Sequence, residues 1–187
     1  MRILIYGSGS YAETIADLAL DCGHEVVGKV DDDGTGAAVL GRFADLIESH
    51  RDCGVVMGIG YRDLPARWAA WQRVRRSGLA SPALVHPRAY VARTAQIGLG
   101  CVVMAGAIVD RNAQIGDASV IWPCACINHD TVVGANCFVS PSATLCGAVR
   151  VGAHSFIGAA AAIADHCDVP ESSMIKMHQR YALHRRT

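Results

Sequence analysis

The sequence predicts a small parallel α/β domain followed by a parallel β-helix of hexapeptide repeats. Two rhythms and the point where they meet carry this prediction. Over residues 1–82, short apolar runs alternate with helical patterns, and glycines follow the first run. From Val85 the period becomes six, and it holds without insertion to Ile175.

The elements of the first part follow in order. "RILIY" is a short apolar strand and "GSGS" a turn. "YAETIADLAL" places Ile15, Leu18 and Ala19 at helical spacing, and Cys22-Gly23 ends that helix. "EVVGKV" is a second strand running into Asp31-Asp32-Asp33-Gly34, and "CGVVMGIG" is a third. "PARWAAWQRVRRSG" is a helix with Pro65 in its first turn and Gly78 past its end. Trp68, Trp71 and Val74 form its expected core face, and Arg73, Arg75 and Arg76 a solvated one. Strand, helix, strand with an early glycine turn makes a parallel α/β unit. Gly7, Gly9 and Ala12 also fit G-x-G-x-x-A, with Asp31 and Asp32 further on. The domain is only half the size of a double dinucleotide-binding fold, so a mononucleotide on the helix N-terminus fits better. A glycine turn without any ligand is the alternative.

In the second part, every sixth residue from Val85 to Ile175 is Val, Ile or Leu. Four residues after each comes a compact one, such as Ala89, Cys101, Ser119 or Thr131. Three six-residue sides close a triangular coil of 18 residues, with slightly more than five coils in all. The aliphatic residue fills the interior and the compact one fits the tight corner, which makes Cys101, Cys137 and Cys167 packing residues. Gly98, Gly116, Gly134, Gly152 and Gly158 follow the aliphatic position and are expected to serve turns with unusual backbone angles. Repeats stack only on neighbours, so the ends need covers. The front domain and the basic tail 176–187 are expected to supply them.

Composition excludes several classes. Charge balances at 17 basic and 17 acidic residues, which removes any global attraction to nucleic acid or anionic membrane. The longest apolar run, "FIGAAAAIA", is far too short to span a bilayer. No export signal opens the chain, and the eight cysteines follow no framework spacing, which predicts free thiols in the cytoplasm.

One stretch breaks the monotony: "CINHDTVVG", residues 126–134. His129 lies two residues past the interior Ile127, so its imidazole points outward. Asn128 and Asp130 flank it and can fix its tautomer. A step of one coil puts Gly147 on one side of His129 and Arg111 on the other. A histidine so placed suits general-base work, and a glycine beside it admits a close approach by substrate. An outward histidine on a solvated face is the plain alternative. Cys124, Cys126 and His129 occupy different hexad offsets and no histidine stacks on another, so no metal is expected. No cysteine has a base and an orienting partner, which argues against a covalent intermediate.

The chain resembles the bacterial sugar acyltransferases that carry a nucleotide-binding α/β domain ahead of a left-handed β-helix. These are the sialic acid O-acetyltransferase type and the N-acetyltransferases of nucleotide-linked 4-amino-4,6-dideoxy sugars. The resemblance rests on "ILIYGSGSYAETIADL", "VVGKVDDD", "VLGRFADL", "VVMGIG", "LVHPRAYVARTAQIGLGCVVMAGAIVDRNAQIGDASVI" and "INHDTVVG". It implies a Rossmann-like nucleotide-sugar-binding domain over 1–82, a left-handed β-helix acyltransferase domain over 83–175 and a tail over 176–187. It further implies acetyl-CoA as co-substrate, a nucleotide-activated sugar as acceptor, a homotrimer and a place in surface polysaccharide biosynthesis.

By the same resemblance, His129 is the general base and Asp130 assists it. Gly147 offers its N–H to the thioester carbonyl, with Gly158 also at the acyl-CoA. Gly7, Ser8, Gly9, Ser10, Tyr11, Asp31 and Asp32 face the nucleotide sugar. The 4-amino group is the favoured acceptor. A sugar hydroxyl, or a degenerate module that only binds sugar nucleotide, are the alternatives. The chain departs from the family where Tyr11 and Phe138 replace its usual histidines, and in its tail. Outward apolar residues Val102, Trp122, Phe138 and Phe156 are expected to be covered by neighbouring prisms. Lys176, Arg180, Arg185 and Arg186 are expected either to meet CoA phosphates or to be solvated.

Overall fold

The structure is a computed structural model and describes residues 1–34 and 39–183. The chain divides into two compact units, Met1–Leu84 and Val85–Thr187.

In the first unit, β1 (Arg2–Tyr6), β2 (Glu25–Val30) and β3 (Gly54–Met57) form a parallel sheet of order β2-β1-β3. Ile3, Leu4, Ile5, Val55, Val56 and Met57 are buried, because helices pack on the sheet and both strand faces need apolar residues. Helix α1 (Ser10–Asp21) buries Ala12, Ile15, Leu18 and Ala19. Its turn needs Gly7, whose φ is +125° and where a Cβ would stand 2.7 Å from the carbonyl of Gly58. A short helix α2 (Phe43–Leu46) was not expected; it brings Phe43 onto the ring of Tyr6, with centroids 4.9 Å apart. Helix α3 (Leu64–Ser77) starts at Asp63, whose side chain accepts from the Ala66 N–H, and ends at Gly78 with φ 75°.

The core face of α3 differs from expectation. It consists of Arg67, Ala70, Trp71 and Val74, while Trp68 is only half-buried. The stripe is rotated by one residue, which puts an arginine inside. Arg67 Nε donates to the Ile59 carbonyl at 3.0 Å, so the buried cation is held by the loop after β3.

The second unit is a left-handed parallel β-helix. Two-residue strands recur every six residues and pair in parallel with the strand one coil away, as in Cys126↔Thr144 and Ile127↔Leu145. They build three sheets of six, six and five strands. The interior column is closed beyond the first coil: Ile121, Ile127, Val139, Leu145, Ile157 and Ile163 are fully buried. Each such side chain contributes roughly 1.5–3 kcal/mol. Compact polar residues share the interior because they satisfy carbonyls of the next coil. Ser119 Oγ donates to Gly134 O at 2.7 Å, and Thr131 Oγ1 to Cys146 O at 2.9 Å.

Three expectations change here. The corner glycines do not serve unusual backbone angles; they serve close stacking. A Cβ on Gly116 would stand 2.6 Å from the Ala135 nitrogen. The left-handed turn positions fall elsewhere and are filled mostly by other residues, including Asn112, Ala118, Cys124, Asp130 and Ala148, with φ of 56° to 59°. The strain at each is offset by a hydrogen bond across coils, such as Asp130 N to Arg111 O at 3.0 Å.

The β-helix also runs past Ile175. Arg180–Tyr181 pairs with Ala162–Ile163, so residues 176–181 continue the coil rather than form a separate tail. Tyr181 keeps the step of six but is not aliphatic, which hid it. Finally, Val102 and Phe138 are 1% and 3% exposed within the single chain, so they are not free outward surface. Trp122, Phe138 and Phe156 form a row of aromatic contacts with centroids 5.5 and 6.0 Å apart.

Candidate functional site

Two clusters gather the residues singled out by the sequence, one in each unit. The first surrounds His129 at a corner of the β-helix. The backbone reaches this corner because Ile127 and Thr131 are both buried, leaving the residues between them to turn outward. The His129 side chain is 49% exposed, and its Nδ1 lies 2.9 Å from Asp130 Oδ2. An ionised carboxylate can only accept, so Nδ1 carries a proton, and in the neutral imidazole Nε2 keeps its lone pair.

Asp130 is itself held. Asn112 Nδ2 donates to its Oδ1 at 2.9 Å, and Arg111 Nη2 lies 3.4 Å from Oδ2. The Asn112 hydrogen bond, followed by that from His129, keeps the Asp130 carboxyl below the usual carboxylate range. Asn112 was missed by sequence reading. The coil step of 18 would have found it, applied to Asp130 rather than to His129.

Gly147 lies against the imidazole. A Cβ there would stand 2.6 Å from His129 Cε1 and 2.7 Å from Nε2, so only glycine leaves room for the ring in this orientation. Among the described residues, the Gly147 N–H meets no hydrogen-bond acceptor, whereas the neighbouring Cys146 N–H donates to Ile163 O and that of Ala148 to His129 O. Gly158 is different. Its N–H donates to Ile175 O at 2.9 Å, and its missing Cβ makes room for the Met177 backbone. Cys126 lies near this corner, and its thiol is pushed up by burial and then by Asp110 and Cys146, so it stays protonated.

The second cluster is the turn after β1 and the acidic end of β2. Ser8 Oγ donates to Asp31 Oδ2 at 2.6 Å, and the Asp33 N–H donates to Oδ1 at 3.1 Å. Burial pushes the Asp31 carboxyl up, but these hydrogen bonds outweigh it and hold it low. Asp32 accepts from the Tyr6 hydroxyl at 2.5 Å and from the Phe43 N–H at 3.0 Å.

Arg73 Nη1 completes the Asp32 cluster at 3.1 Å, with its guanidinium 5.7 Å from the centre of the Tyr6 ring. Arg73 is thus not the freely solvated residue expected of that helix face. Tyr11 lies beside Arg67; burial first pushes its phenol up to about 12, against the pull of that arginine. Gly9 caps α1 through its backbone alone. Ser10 opens the helix. Arg185 and Arg186 lie outside the described residues.

Among the described residues, no group of three or more His, Cys, Asp or Glu could hold a metal ion. No described helix is long and apolar enough to cross a membrane.

Comparison with known proteins places this geometry. Residues 2–71 match the profile of the PglD N-terminal domain. The acetyltransferase domain of PglB from Neisseria gonorrhoeae superposes with a TM-score of 0.87 at 25% identity, over 99% of this chain and 93% of that one. The same domain in complex with acetyl-coenzyme A gives 0.82 at 26% identity, over 95% and 97%. A perosamine N-acetyltransferase from Caulobacter crescentus, in complex with CoA and GDP-perosamine, gives 0.79 at 25% identity, over 94% and 93%. A search among curated proteins gave no significant match.

Fold and likeness together define the protein as an acyltransferase built on a left-handed β-helix. Within that class, it is similar to a perosamine N-acetyltransferase, and its first part matches the PglD N-terminal domain.

Proposed function

We propose that the protein moves an acetyl group from acetyl-CoA to the 4-amino group of a nucleotide-linked amino-dideoxy sugar. The observation that carries this reading is the His129–Asp130 pair beside Gly147. The amine nitrogen attacks the thioester carbonyl carbon and a C–N bond forms. His129 Nε2 takes the proton that the amine loses. The oxyanion is stabilised by a preorganised donor, for which the Gly147 N–H is unclaimed. The C–S bond then breaks, and the proton passes from His129 to the departing CoA thiolate. A similar perosamine N-acetyltransferase is described in complex with CoA and GDP-perosamine, which favours an amine acceptor over a hydroxyl.

The turn Gly7–Ser10, with Tyr11, Asp31 and Asp32, is assigned to the nucleotide sugar, since a helix N-terminus favours phosphate. The acyl-CoA is assigned to Gly147; Gly158 is buried, its N–H is taken by Ile175 O and the space beside it by the Met177 backbone, so it serves coil stacking instead. The active form is a cytoplasmic homotrimer. Two observations support this: all eight cysteines are free, and the outward column beside the His129 corner exposes Tyr90 and Ile108 by 59% and 41%.

The test is direct. Purified protein is mixed with acetyl-CoA and GDP- or UDP-linked 4-amino-4,6-dideoxyhexoses, and release of free CoA thiol is followed. Thiol release that needs the amino sugar supports the reading; release with the corresponding 4-hydroxy sugars alone would replace it with O-acetylation.

A further inference from the structure

We infer that Asn112 is a positioning residue that holds Asp130 so that His129 keeps its proton on Nδ1 and bares Nε2. This rests on the reading of His129 as base. Asp130 occupies a left-handed turn position with φ 59° and projects from the corner, so its backbone alone does not orient the carboxylate. The terminal torsion of an aspartate is broad and roughly two-fold, so the carboxylate plane turns freely unless a donor pins it. Asn112 supplies that donor from the preceding coil, 2.9 Å from Oδ1. Oδ2 is thereby directed to His129 Nδ1, also at 2.9 Å. Arg111 reaches only Oδ2, at 3.4 Å, and so cannot fix the plane by itself.

Asn112 is anchored in turn: its backbone N–H donates to Thr94 Oγ1 at 3.0 Å. The result is a chain of hydrogen bonds along one corner, from Thr94 Oγ1 to the Asn112 backbone and from the Asn112 side chain to Asp130 and on to His129. The residue type is not set by the turn. Asn112 has φ 56°, but Ala118 has the same φ, and Ala148 and Ala160 hold equivalent left-handed turns with no polar side chain. An alanine could serve the backbone here; what it could not supply is the Nδ2 donor.

The test is a cycle of Asn112→Ala, Asp130→Ala and the double variant, read in two ways. Nitrogen-15 spectra of labelled histidine report the His129 tautomer without any substrate, with the signal assigned by its loss in His129→Ala. Turnover is measured with acetyl-CoA and GDP-perosamine. Wild type is expected to show a single Nδ1–H tautomer and Asn112→Ala a mixture. The same change should lower kcat about tenfold with the KM for acetyl-CoA unchanged, and the double variant should be no worse than Asp130→Ala, since contacts in one network are not additive.

Should Asn112→Ala not fold, Asn112→Asp keeps the size and the turn while removing the donor, and the same loss is expected. A wild-type tautomer in Asn112→Ala, or losses that simply multiply, overturns the inference while leaving His129 as base. Undiminished turnover in His129→Ala overturns both.

Discussion

The imidazole of His129 lies so close to Gly147, one coil away, that a Cβ on residue 147 would stand 2.6 Å from its Cε1. Gly147 has no positive φ, so alanine fits the backbone there but not the ring. Gly147→Ala is expected to fold with a near wild-type melting temperature and to lose most turnover, because the ring must swing off its line with Asp130. His129→Ala in the Gly147→Ala background should then cost little more. Steady-state kinetics and thermal melts of the two single variants and the double decide this.

His129→Ala itself should lower kcat by roughly 10²- to 10⁴-fold, the contribution of a positioned general base. The side chain is outward and half-exposed, so melting should barely move. A folded variant with near wild-type turnover would remove the base from the mechanism.

Asp32→Ala is expected to weaken binding of GDP- or UDP-linked sugar without changing affinity for acetyl-CoA. The carboxylate gathers Tyr6, Phe43 and Arg73 in one place, so its loss releases the arginine as well. Calorimetry with each ligand separately reads the split; equal losses for both would assign the effect to folding.

At alkaline pH the first unit should weaken. Burial, then the hydrogen bond to Asp32, raises the Tyr6 phenol, and burial raises Tyr11 to about 12. The folded state therefore keeps these protons while the unfolded chain loses them near the ordinary tyrosine value of about 10. Their stabilisation is complete below that value and is lost as pH rises through the folded values. Melting temperatures measured from pH 9 to 12 should fall, and phenolate absorbance of Tyr6 and Tyr11 should appear only with unfolding.

Light scattering at micromolar concentration should give the mass of three protomers. A parallel β-helix has three flat sides, and closed symmetry is the common outcome for such shapes. Charged substitution at Ile108, which is 41% exposed in the single chain, should shift the mass toward one protomer. A stable wild-type monomer would exclude a site completed by a neighbour.

The sequence by itself determined the repeat of the β-helix and the place of α1. A step of six residues forces flat sides, three sides force a coil of 18, and that count already made Gly147 the neighbour of His129. Ile15, Leu18 and Ala19 likewise placed α1 before any contact was known. These features are local and periodic, so they survive in one dimension.

Tertiary structure decided which partners each side chain took. Arg67 rather than Trp68 entered the core because the rotation of α3 is set by the sheet and the loop after β3. Arg73 met Asp32 because β2 and α3 converge on Tyr6. Alanines, an aspartate and a cysteine occupy left-handed turns because cross-coil hydrogen bonds outweigh their local preference, which no propensity records. Phe138 is buried, and Asn112 meets Asp130, for the same physical reason: burial and hydrogen-bond partners belong to the packed chain, and sequence distance says little about them until the coil brings residues 18 apart into contact.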